Sequence, residues 1–107
     1  MGIFGWLKGK AAKQSLFNVE ITTRTLIVVA NKAHEAIAVS LSSNPADASR
    51  VASAQKAVLS DVALAIDNGA SVEDVLARIE MAKSKEKMTS GAEMAVAHMI
   101  SYVKPQA

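Results

Sequence analysis

Capping signals cut this chain into four stretches, each with apolar residues at three- and four-residue steps. The signals are Asn44-Pro45, Asn68-Gly69 with Ser71, and Ser90-Gly91. Asparagine and serine side chains accept from the free amides at a helix start, and proline suits the first turn. Glycine takes the left-handed backbone that ends a helix. A chain punctuated in this way is expected to fold as an all-α, antiparallel bundle of about four helices with short connections.

The first stretch, residues 16–43, places Val19, Thr23, Leu26, Ala30, Ala33, Ile37 and Leu41 on one stripe. The second runs from Pro45 to about Asn68, with Val51, Ala54, Val58, Val62, Ala65 and Ile66 inward. Ser71 opens the third, with Glu73 and Asp74 in its first turn and Val72, Val75, Leu76, Ile79 and Ala82 as its stripe. Lys83, Lys85 and Lys87 follow, at the end where cations suit the helix dipole. Ser90-Gly91-Ala92-Glu93 has the spacing of a capping box and starts the fourth. Ala92, Val96, Met99, Ile100 and Val103 face inward there, and Pro105 ends the helix.

One segment conflicts with this pattern. Between Val19 and Ala30, eight of twelve residues are β-branched. Such residues favour strands, so a strand over residues 19–30 is the alternative. A lone strand in a helical chain would leave its backbone groups unpaired, which favours the helix.

Twenty alanines and only 4% aromatics make the expected core thin. Alanine is the best helix former but buries little surface. A second copy of the chain would thicken such a core, so a homodimer is expected. The chain has no cysteine, which excludes disulfides, thiolate metal sites and a cysteine nucleophile.

The division expected is a basic amphipathic leader, residues 1–14, and a bundle domain, residues 15–107. In the leader, Ile3, Phe4, Leu7 and Ala11 share one side of a helical wheel, with Trp6 at its edge and Gly2, Gly5 and Gly9 roughly opposite. Each interior glycine costs ~1 kcal/mol against alanine, so the leader should fray in water. A membrane surface or an apolar groove would order it; folding back over the thin core is the third option. Lys8, Lys10 and Lys13 give the first 13 residues +3, while nine basic and ten acidic residues leave the rest at −1. A nearly neutral body argues against a broad nucleic-acid surface.

The longest strictly apolar run, Leu26 to Ala30, is too short to span a bilayer. The apolar run in the first 13 residues is also too short for a signal peptide. Trp6 occupies the position where N-myristoylation wants serine or threonine. These features suggest the cytoplasm, at the periphery of an inner membrane.

Catalytic constellations are weak. His34 and His98 lack the His-x-x-x-His spacing of a metal pair, and no Glu-x-x-His occurs. None of the eleven serines sits in Gly-x-Ser-x-Gly, and no glycine-rich phosphate loop is present. No enzyme activity, metal or cofactor is therefore expected. Ala65, Gly69 and Val75 fall at helix-turn-helix spacing. The would-be recognition helix, however, opens with Val72-Glu73-Asp74 and offers only Arg78 and Lys83 to phosphates. Met81, Met94 and Met99 are expected to fill the core, and Met88, in a lysine-rich linker, to be exposed.

The function expected is a non-enzymatic helical interaction module. Ile3, Phe4, Trp6 and Leu7 would bury apolar surface on a membrane or a larger protein, and Lys8, Lys10 and Lys13 would attract it. Two alternatives are a small immunity or inhibitor protein with one specific protein target, and a helix-turn-helix-like DNA-binding regulator.

Overall fold

The computed structural model describes the backbone of residues 2–40 and 45–103 and the side chains of residues 10–33 and 48–103. The described residues form four helices: α1 (Gly2–Ser40), α2 (Pro45–Asp67), α3 (Val72–Lys85) and α4 (Ser90–Val103). No strand occurs among the described residues. The β-branched segment 19–30 is helical throughout.

Magnitudes explain that outcome. Each β-branched residue costs about half a kcal/mol in a helix relative to alanine. Burying a Val, Leu or Ile side chain returns about 1.5–3 kcal/mol. Val19, Leu26 and Ile27 are fully buried, so packing offsets propensity. The threonines lose little as polar groups: Thr22, Thr23 and Thr25 donate their hydroxyls to the carbonyls of Asn18, Val19 and Ile21, at 2.9, 2.7 and 3.1 Å. This local bond lets Thr23 sit fully buried within the core stripe.

Helix α1 is 39 residues long. At 1.5 Å per residue it measures about 58 Å, which matches the 58 Å long axis of the molecule. It is the spine of the fold. The other three helices pack on it, while α3 and α4 scarcely touch each other. The division expected at residues 14 and 15 falls inside this helix, so the leader's backbone continues α1 without a break. A helix already nucleated extends at low cost per residue, whereas an isolated segment must form its own nucleus.

Long-range hydrogen bonds set the directions. Asn68, just past α2, donates to Ser15 Oγ at 3.0 Å, so α2 runs back along α1. Helix α3 then returns alongside α1: Glu86 beyond its end meets Arg24 at 3.1 Å, and Asn31 donates to the Lys87 carbonyl at 2.7 Å. Helix α4 starts beside Asn31 and is tied to α2 by Gln55, which donates to the Ala95 carbonyl at 2.9 Å.

The core is a single cluster built from Leu16, Val19, Leu26, Ile27 and Ala30 of α1, Val58, Val62 and Ala65 of α2, Val75 and Ile79 of α3, and Ala92, Val96, Met99 and Val103 of α4. Leu16 and Ile27 join the expected stripe of α1; Ile37 and Leu41 lie outside the described side chains. The expected inward residues of α2, α3 and α4 are all buried or half-buried.

The turns follow the capping signals, with one shift. Gly69 has φ +102°, and Gly69 and Ala70 donate to the carbonyls of Ile66 and Ala65 at 3.0 and 2.9 Å. These are the two bonds of a Schellman end. Ser71 caps α3, accepting from the Asp74 amide at 3.1 Å while Asp74 accepts from the Ser71 amide at 3.2 Å. For α4 the cap is Thr89, one residue before Ser90: the Ala92 amide donates to its hydroxyl at 3.1 Å. Asn31 decides this, because its Oδ1 accepts from both the amide and the hydroxyl of Thr89, each at 3.0 Å. Asn44-Pro45 and Pro105 involve residues outside those described.

The methionines divide. Met99 is fully buried, Met81 is exposed, and Met94 is 72% exposed. Only Met99 follows the expectation: Met81 and Met94 lie on the surface rather than in the core, and Met88 is half-buried against the core rather than exposed. The bonds from Asn31 pin both neighbours of Met88 and draw it in.

Candidate interaction face

Three helices cover one side of α1 and leave the other open. The exposed residues of α1 between 10 and 33 are Lys10, Lys13, Gln14, Phe17, Ile21, Arg24, Thr25, Val28 and Lys32. They recur at three- and four-residue steps, so they form one continuous face about 33 Å long. Phe17, Ile21 and Val28 are 48, 43 and 40% exposed. Three large apolar side chains at helical spacing on an uncovered face differ from the scattered exposed leucine of an ordinary surface.

The charge on this face has one sign at its exposed positions. In the first 33 residues the only acid is Glu20, and it is buried. Arg78 and Lys85 from α3 hold it, at 3.3 and 2.7 Å. The Lys85 hydrogen bond lowers the Glu20 pKa below the usual carboxylate range; desolvation opposes this, and the charge of Lys85 and then Arg78 adds to the lowering. Arg24 pairs with Glu86 at 3.1 Å. Between Arg24 and Val28 an open groove of about 330 Å³ is lined by Ile21, Thr25, Val29 and Glu86 as well.

Two of the residues expected at the contact lie on this face. Lys10 and Lys13 are exposed on α1. The side chains of Ile3, Phe4, Trp6, Leu7 and Lys8 lie outside the described residues. Phe17, Ile21, Arg24, Val28 and Lys32 were not singled out from sequence. Their signal was present as a second stripe, because Phe17, Ile21, Arg24 and Val28 step by four, three and four. The stronger core stripe beside it masked them.

Other candidate chemistry disperses. His98 is exposed and meets Tyr102 edge to face at 5.3 Å. These two, with Lys56, Leu59 and Met99, line a cleft of about 290 Å³ between α2 and α4, and no carboxylate lines it. No group of three His, Asp or Glu residues among those described could hold a metal ion. Arg78 is engaged by Glu20, and Lys83 pairs with Glu80 at 3.3 Å, so both cations of the helix-turn-helix-like segment have acidic neighbours. No described helix is long and apolar enough to cross a membrane. Comparison with protein-family profiles, with characterised proteins and with solved structures returns no match.

Proposed function

We propose that this chain is a non-enzymatic helical interaction module, acting as a homodimer, that contacts a larger body through the N-terminal part of α1. The observation that supports it is the open, basic and apolar side of α1, which starts at Lys10 and Lys13. In this reading Ile3, Phe4, Trp6 and Leu7 bury apolar surface in the contact, and Lys8, Lys10 and Lys13 draw the partner in. Membrane-peripheral helices combine these same residue types. The helical backbone of α1 runs on from the bundle into the N-terminal segment, and a segment that is already helical loses less conformational freedom when it binds.

Trp6 is the only tryptophan and gives a direct test. Titrating the full chain with vesicles of phosphatidylcholine and phosphatidylglycerol is expected to shift its emission to the blue and to protect it from acrylamide. Emission that is already blue in buffer and unchanged by vesicles means the segment packs on its own bundle, and the proposal fails.

A further inference from the structure

Resting on the N-terminal contact proposed above, we infer that the docking face extends along the whole outer side of α1, from Lys10 to Lys32, and that its occupant is an anionic lipid surface lying parallel to the helix. Three features select that occupant. The first is charge. Among the described residues, the exposed charged positions of α1 are all cations, Lys10, Lys13, Arg24 and Lys32, and the acids shown beside the face are Glu20, paired with Lys85 and Arg78, and Glu86, paired with Arg24. Glu20 is buried and held by Arg78 and Lys85, which offset its charge.

The second is shape. Helix α1 is buried along one side by the other three helices, so a groove cannot wrap it as it would a free amphipathic peptide. What it offers is a straight strip flanked by neighbouring helices, on a body 22 and 19 Å across. A planar partner can touch all of it at once. The third is the arrangement of apolar residues. Phe17, Ile21 and Val28 lie between the cations rather than apart from them, which suits shallow burial at headgroup depth with ammonium groups beside the phosphates. Ile3 and Leu7 precede Lys10, Gln14, Phe17 and Ile21 at alternating four- and three-residue steps within one unbroken helix. The N-terminal segment and the bundle's outer face therefore belong to one strip.

The test moves the fluorescent reporter. In a W6F background, F17W places the only tryptophan in the middle of the face, and L64W places it on an exposed site of α2. Residues 17 and 64 are exposed, W6F keeps an aromatic ring at position 6, and far-UV circular dichroism and the vesicle affinity of W6F alone set the baseline for both reporters. The F17W emission is expected to shift blue with vesicles containing phosphatidylglycerol, to stay unchanged with pure phosphatidylcholine, and to respond to salt. The L64W emission should not move. In the native chain, K10E/K13E should lower vesicle partitioning by at least about tenfold, since each cation near an anionic surface contributes roughly fivefold. I21S/V28S should lower it as well. A native Trp6 that responds while F17W does not overturns the inference and leaves the N-terminal contact standing. Equal binding to phosphatidylcholine, or an F17W response to soluble poly-glutamate but not to vesicles, overturns the lipid assignment.

Discussion

Glu20 is the residue whose role was least visible in the sequence. It sits between Val19 and Ile21, with Asn18 and Thr22 beyond them, where an acid reads as the polar edge of a helix. Burial became tolerable because Arg78 and Lys85, 58 and 65 residues away, bring two cations to its oxygens. No local pattern announces pairing over that distance. Its consequence is a pH dependence. A carboxylate held below its usual pKa stabilises the fold at neutral pH, and that stabilisation is lost as pH falls through the usual carboxylate range and then through the lowered value. Glu20→Gln is therefore expected to melt lower than the native chain at pH 7, and the two curves should converge in acid. Thermal melts across pH measure this directly; a constant difference at every pH would show that the charge is not what Glu20 contributes.

At the scale of elements, caps and stripes carried most of the fold. Ser71 with Asp74, and Gly69 with Ala70, act where their residue types predicted, because both motifs are closed by bonds within six residues. The continuity of α1 was hidden, since Gly2, Gly5 and Gly9 argue locally for fraying. Over residues 19–30 the helix was the favoured reading, because a lone strand would leave its backbone unpaired, but the burial by three other helices that offsets the β-branched propensity was not visible locally. The link between α3 and α4 shows the same limit. Its cap moved to Thr89 on account of Asn31, a residue on another helix. Asn31→Ala removes three side-chain bonds at that link and is expected to cost about 1–3 kcal/mol in urea unfolding. The effect should be local before it is global. Hydrogen exchange at the Thr89 and Ala92 amides should accelerate strongly, while Ile79 in the middle of α3 changes only by the global loss. Uniform acceleration would mean that Asn31 acts on the whole bundle rather than on the link.

For the whole molecule, the sequence located the basic excess at the N-terminus, and the structure distributes it along one side of a long spine. The shape follows from α1. A radius of gyration of 15.2 Å exceeds the roughly 13 Å of a compact 100-residue domain. This elongation bears on how copies of the chain could meet. A two-fold dimer places the same patch against itself, so pairing through the outer face of α1 would set Lys10, Lys13 and Lys32 against their own copies with no exposed acid on α1 residues 10–33 to answer them. The homodimer proposed for the thin, alanine-rich core must then leave that face free, and self-association and surface binding should separate. Sedimentation velocity of the native chain is expected to report twice the 11.2 kDa chain mass. K10E/K13E should keep that mass while losing vesicle binding. A monomer at every concentration removes the homodimer from the proposal. A mass that changes with the charge reversal would place both contacts on the same side of α1.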